Sequence, residues 1–272
     1  MKHFTLTPFP EYQDCTLTAY LHDQSPELQI GARRTVIVCP GGGYAFLSAR
    51  EAEPIALSFL SQGFNVFILR YSICENAANC RPLIQACKTV KFLREHAEEY
   101  DVDPRYIFIN GYSAGGHLSA SCGTMFDLPE IRTAVGCEDN DLHRPTGTIL
   151  GYPVIASNHY GHAGSFNLLC GNDNATAEDR AYYSVEKHVN AKTAPAFIWH
   201  TAEDTLVPVQ NSILYAHALA DNGVSFELPI YPYGPHGLAL CNEITLSPHN
   251  DRFLNKEAEG WLDMSVKWMK NQ

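Results

Sequence analysis

Arg105-Tyr106-Ile107-Phe108-Ile109-Asn110-Gly111-Tyr112-Ser113-Ala114-Gly115-Gly116-His117 sets the pattern for the whole chain. Arg105 to Ile109 is a short run of apolar, β-branched and aromatic residues, which reads as a buried strand. From Ala114 to Met125 small residues dominate, and a helix is expected. Gly111-x-Ser113-x-Gly115 therefore falls at a strand-to-helix junction. The turn there is so tight that only small residues fit two positions either side of the serine. One glycine lets the backbone turn sharply, and the other lets helix and strand pack closely.

Working outward, strands and helices alternate. Residues 4 to 22 read as a first β segment or hairpin, and residues 23 to 33, with Pro26 and Gly31, as a polar connection. Arg34 to Cys39 and Asn65 to Tyr71 are continuous apolar runs, the mark of strands buried on both faces. A helix is expected from Glu51 to Ser61, closed by Gly63. A longer one is expected over 79–100, where Leu83, Cys87, Val90, Leu93 and Ala97 share a face. Beyond the elbow come strands at 148–155, 195–200 and 225–231, a helix from Asn211 to Ala220, and a last helix from Lys256 to Lys270. Residues 156–194 read as irregular, a short lid-like insertion. This alternation implies an α/β fold, a mostly parallel sheet with helices on both faces, in a single domain spanning 1–272.

Ligands meet such a sheet at the loops beyond the carboxyl ends of its strands. Pro40-Gly41-Gly42-Gly43-Tyr44 is one of these loops. Three glycines in a row let backbone N–H groups converge, as an oxyanion hole demands; Gly41, Gly42 and Gly43 are the candidates, with Ala114 after the serine. No Gly-Lys-Ser/Thr follows, so the loop is not a Walker-type phosphate cradle. The second loop is His200-Thr201-Ala202-Glu203-Asp204-Thr205-Leu206-Val207-Pro208. Asp204 lies further beyond its strand than Glu203 and just before Val207-Pro208, so Asp204 is the candidate acid and Glu203 a solvated charge. The third loop, Tyr231-Pro232-Tyr233-Gly234-Pro235-His236-Gly237, sets His236 in a rigid turn. Ser113, Asp204 and His236 each follow a separate expected strand, and their order is Ser, Asp, His. They read as a catalytic triad. Tyr44, Phe46 and Tyr112 flank these loops and are candidate walls of a substrate pocket.

The set P-G-G-G-Y, G-Y-S-A-G-G-H, H-T-A-E-D-T-L-V-P and G-P-H-G resembles the α/β-hydrolase superfamily. More narrowly, it is similar to bacterial carboxylesterases of the acetyl xylan esterase or sugar-hydrolase kind. The likeness runs from about residue 15 to the C-terminal helix and includes Ser184 to Val189. Pro40 stands where the hormone-sensitive-lipase group carries histidine before its glycines, and that group's long N-terminal helical cap is not expected. The resemblance implies a central sheet of about eight strands. It also implies a serine ester hydrolase that acts on small-molecule or oligosaccharide esters and needs no cofactor. A peptidase or amidase on the same fold, and a hydrolase-fold binding protein without chemistry, are the alternatives.

The composition agrees with a soluble enzyme. The chain has 272 residues, 45% apolar and 18% charged, and a net charge of -11 that argues against nucleic acid or an anionic membrane as partner. Met1 to Pro8 carries no continuous apolar leader segment, and the nine cysteines form no Cys-x-x-Cys pair. A cytoplasmic protein with reduced thiols is therefore expected, and the Asn174-Ala175-Thr176 sequon is a chance match. A homodimer is compatible with these features. His159-x-x-His162 lacks the glutamate of a helical metal motif, so no metal site is expected. His117 reads as a packed or capping side chain.

Overall fold

The computed structural model describes residues 1–28, 31–247 and 254–272, so part of the expected 23–33 connection lies outside the described residues. Strands β1 (Lys2–Leu6) and β2 (Thr16–Leu21) pair antiparallel, the expected opening hairpin. Then β3 (Arg33–Cys39), β4 (Asn65–Arg70), β5 (Val102–Tyr112), β6 (Gly147–Gly151) and β7 (Ala196–Thr201) run parallel to one another. Two short strands, β8 (Phe226–Glu227) and β9 (Ile230–Tyr231), both pair with β7. The order across the sheet is β1-β2-β4-β3-β5-β6-β7-β8. This is a mostly parallel sheet with helices around it, the α/β-hydrolase architecture.

The helices are α1 (Glu53–Ser61), α2 (Arg81–Glu95), α3 (Ala114–Thr124), α4 (Pro129–Val135), α5 (Ala163–Cys170), α6 (Ala177–Ala181), α7 (Gln210–Asp221), α8 (Lys256–Glu259) and α9 (Trp261–Lys270). The sheet's period of two decides what each helix covers. Ile37, Phe67, Leu69, Ile107 and Ile109 share a core with Leu83, Cys87 and Val90 of α2 and Leu118 of α3. Val36, Val38, Val66, Ile68 and Phe108 point the other way, onto Ile55 and Phe59 of α1 and Trp261, Val266 and Trp268 of α9. Buried on both faces, these strands have no room for polar alternation, which is why they read as continuous apolar runs.

Several expected elements differ. The helix expected from Glu51 starts at Glu53, and the one expected from Lys256 to Lys270 breaks at Gly260 into α8 and α9. The helix expected over 79–100 spans only Arg81–Glu95: Asn79 and Cys80 before it have φ of 58° and 57°, outside the helical region. The strand expected over 148–155 stops at Gly151, because Tyr152 turns to φ 38° and Pro153 follows. The expected 225–231 strand splits around Leu228-Pro229, where proline has no N–H to donate to a ladder. Residues 156–194 are not irregular throughout: they carry α5 and α6, the latter started by a Thr176–Asp179 capping box. Among the described residues no helix is long and apolar enough to cross a membrane.

The elbow glycines sit where the backbones nearly touch. A Cβ on Gly115 would lie 2.1 Å from the Cys39 carbonyl oxygen, and one on Gly111 would lie 2.0 Å from that of Gly115. Neither obstacle is a flexible side chain, so neither can move aside without shifting β3 or α3. Gly115→Ala is therefore expected to destabilise the fold by about 3 kcal/mol or more, read from urea unfolding. An unfolding midpoint equal to that of the wild type would show that the elbow can open.

Candidate active site

Ser113 is the hinge between β5 and α3. Its φ of +52° lies in a region that side chains rarely adopt. Three backbone bonds hold it there: its N–H donates to the Gly151 carbonyl at 3.0 Å, and its carbonyl accepts from the Val154 N–H at 3.1 Å and the His117 N–H at 3.0 Å. The strain is thus supported by the neighbouring strand β6 and the chain just beyond it.

The loop after β9 brings His236 to the serine, with Nε2 2.8 Å from Ser113 Oγ. On the other side of the ring, Nδ1 lies 2.6 Å from Asp204 Oδ2. A carboxylate only accepts, so Nδ1 carries the proton and Nε2 is free to accept from the hydroxyl. Asp204 is 4% exposed. Its Oδ1 accepts from the Leu206 and Val207 N–H groups at 3.0 and 2.9 Å. Burial pushes this carboxyl up, but hydrogen bonds from His200 and His236 outweigh burial and hold it at about 2. Asp204 is accordingly an anion across the working pH range. Glu203 is exposed, and its Oε2 accepts from the Gly234 N–H at 3.2 Å, so it ties down the histidine loop rather than pointing idly into water.

His200 is a residue that sequence reasoning passed over. It is fully buried, with Nδ1 2.7 Å from Ser212 Oγ and Nε2 2.9 Å from the Val207 carbonyl. Nε2 therefore carries the proton, which also reaches Asp204 Oδ2 at 3.3 Å. His200 braces the carboxylate from behind.

The glycine loop requires one correction. Gly41 does not offer its amide to a ligand: that N–H donates to Glu51 Oε2 at 2.9 Å. The Gly42 and Gly43 amides donate to no backbone or side-chain acceptor among the described residues. Ala114 is the first residue of α3, so no intrahelical carbonyl can reach its amide. Glu51, read from sequence only as the start of a helix, is 4% exposed and spans two loops. Its Oε1 accepts from the Tyr152 hydroxyl at 2.7 Å, and that oxygen accepts from the Ala239 N–H at 2.9 Å. The chain of bonds runs from the glycine loop to the histidine loop. No local spacing announces it, because Gly41, Glu51, Tyr152 and Ala239 come from four separate segments.

Ser113 and His236 open into a cleft of about 390 Å³. Gly42, Gly43, Phe46, His162, Leu168 and Leu206 are among its walls. Of the three aromatic candidates only Phe46 lines it, at 61% exposed. Tyr44 is buried, its hydroxyl 2.8 Å from His117 Nδ1, and Tyr112 is buried between Tyr152 and Trp261. Both are packing residues, turned away from the cleft by the strand and loop that carry them. His117 is packed, as expected: Nε2 donates to the Tyr183 carbonyl at 2.8 Å, and burial pushes the imidazole down to about 4. Of the pair at 159 and 162, His159 is exposed against Tyr160, whereas His162 reaches the cleft. No group of metal-ligating side chains occurs among the described residues.

A serine hydroxyl, an imidazole with a bare nitrogen facing it, and a buried carboxylate holding the opposite nitrogen form a proton-accepting row at the carboxyl end of a parallel sheet. The chain belongs to the BD-FAE family, whose model matches residues 24–219. It is 37% identical over 235 residues to endo-1,4-beta-xylanase B of Butyrivibrio fibrisolvens, covering 84% of this chain and 35% of that one. It is 32% identical over 234 residues to the acetylxylan esterase of Xylanibacter ruminicola, covering 84% of this chain and 45% of that one. The chain thus spans less than half the length of these two curated relatives. The crystal structure of an acetyl ester-xyloside bifunctional hydrolase from Caldicellulosiruptor lactoaceticus matches with a TM-score of 0.80 at 33% identity, covering 94% of this chain and 88% of that one.

Glu51 meets two donors, Gly41 N–H and Tyr152 O–H, and only a carboxylate accepts from both. Glu51→Gln replaces one acceptor with a donor in a buried site and should cost about 2 kcal/mol of stability, measured by chemical unfolding. An unchanged midpoint would mean that the loops do not depend on this bridge.

Proposed function

We propose that this chain is a serine carboxylesterase that hydrolyses short-chain acyl esters, chiefly acetyl esters of sugars or xylo-oligosaccharides. The observation that carries this reading is the unbroken row Ser113 Oγ, His236 Nε2, His236 Nδ1, Asp204 Oδ2, with steps of 2.8 and 2.6 Å across its hydrogen bonds. The names of its relatives, an acetylxylan esterase and an acetyl ester-xyloside hydrolase, support the substrate class. The nine cysteines, all unpaired, support a reducing, cytoplasmic setting.

In this mechanism His236 Nε2 takes the proton as Ser113 Oγ attacks the ester carbonyl, and Asp204 holds the tautomer and stabilises the imidazolium. The amides of Ala114, Gly42 and Gly43 receive the developing oxyanion, each such donor being worth roughly 10² to 10³ in rate. His236 then gives the proton to the departing alcohol, and water hydrolyses the acyl-enzyme by the same path. No step calls for a cofactor.

Ser113→Ala should fold normally and lose esterase activity by roughly a millionfold. Asp204→Asn should lose on the order of 10⁴ in kcat through the wrong tautomer, while Glu203→Gln changes kcat little. A serine-directed phosphonate that labels Ser113→Ala as fast as the wild type would refute the nucleophile assignment.

Phe46, Leu168 and Leu206 line a cleft whose volume of about 390 Å³ lies toward the low end for small-molecule sites. Acetate and propionate nitrophenyl esters are accordingly expected to show a higher kcat/KM than octanoate. An optimum at eight carbons or longer would point to a deep lipase-like pocket instead.

A further inference from the structure

His162 lies outside the triad yet faces the same cleft. Its Nδ1 is 2.8 Å from Ser165 Oγ and 3.3 Å from Ser165 N, whose N–H it shares with the His162 carbonyl at 3.0 Å. An amide N–H only donates, so Nδ1 is an acceptor and the ring proton sits on Nε2. Ser165 is fully buried, so this clamp on the ring is shielded from water. Burial, together with the nearby His236, pushes the His162 imidazole below its ordinary range, which favours the neutral ring. The Nε2–H itself meets no acceptor among the described residues.

The ring hangs over the glycine loop, with Cε1 3.4 Å from where a Cβ on Gly43 would stand. Around it the wall is apolar, formed by Ala45, Phe46, Leu168 and Leu206. The other ionisable residues of the wall have bonds elsewhere: Arg50 Nε donates to the Thr245 carbonyl, and Glu51 holds Gly41 and Tyr152. A fixed donor in an apolar wall is satisfied by water when the cleft is empty. Once substrate displaces that water, the donor needs an oxygen from the substrate or goes unmade at a cost. A site built in this way discriminates strongly against analogues that lack the matching polar group.

Resting on the esterase reading, we infer that His162 is a specificity-determining substrate contact whose Nε2–H donates to a hydroxyl or ring oxygen of a polyoxygenated alcohol. The acyl side offers no alternative acceptor. An acetyl group has only its carbonyl oxygen, which the amides of Ala114, Gly42 and Gly43 receive. The bridging ester oxygen faces His236 Nε2, which protonates it as the alcohol departs, so the selected oxygen is a further one on the alcohol, and the chemistry it selects is an acetylated sugar over an alkyl acetate of the same ring size.

The test compares kcat/KM for an acetylated methyl xyloside and for cyclohexyl acetate, which has a six-membered ring without hydroxyls. The wild type should prefer the sugar by about tenfold to a hundredfold. His162→Phe should bring the two within about threefold of each other, and His162→Gln, whose side-chain amide still donates, should keep more of the preference than phenylalanine does. A preference unchanged in His162→Phe, or a wild type that treats both esters alike while Ser113→Ala is inactive, overturns the inference and leaves the esterase reading standing. A wild type that hydrolyses neither ester overturns both. Nitrogen-15 NMR of the folded enzyme gives a readout independent of turnover. The His162 proton is expected on Nε2, and finding it on Nδ1 would overturn the assignment.

Discussion

The site depends on the close approach of β3 and the first turn of α3, where Gly115 meets the Cys39 and Pro40 carbonyls with no space for a methyl group. This contact fixes two loops at once. It holds the start of α3, and so the Ala114 amide, against the loop that carries Gly42 and Gly43. Between β5 and this tightly packed helix Ser113 takes its positive φ. Donor groups from two distant segments converge because glycine lets the two backbones come this close.

A second constraint joins what the elbow does not. The histidine loop follows β9 at one end of the parallel array, while the glycine loop follows β3 nearer its middle. Glu51 and Tyr152 bridge them, and the Tyr152 ring also packs edge-on to His236 at 5.0 Å. A buried carboxylate beside a site that collects negative charge is unfavourable on electrostatic grounds alone. It persists here with both oxygens bonded to donors, which is the condition under which a buried charge is tolerated.

Four histidines surround the site, and their partners give them different states. His117, His162 and His200 all hold their proton on Nε2: a carbonyl accepts it in His117 and His200, and in His162 the Ser165 amide occupies the other nitrogen. His236 alone of the four is reversed, because Asp204 takes the Nδ1 proton and leaves Nε2 bare toward Ser113. The three Nε2–H rings brace or donate. The reversed ring can accept a proton from a hydroxyl.

What the sequence determined by itself was whatever depends on local pattern. The apolar runs at 34–39, 65–71 and 105–109 specify buried parallel strands, and the glycines at 111 and 115 specify the elbow. Ser113, Asp204 and His236 were legible because each sits just beyond such a strand, where a parallel sheet gathers its loops. The helices of 156–194 were not legible, since α5 and α6 are short and lack a long apolar repeat. Tertiary structure alone decided which groups stand free. The Gly41 amide is taken by Glu51, Tyr44 and Tyr112 turn into the core, and His162 turns into the cleft where His159 faces water. For Gly41, Tyr44 and Tyr112 the partners lie ten or more residues away, and side-chain direction at a loop is set by packing, which one-dimensional spacing does not encode.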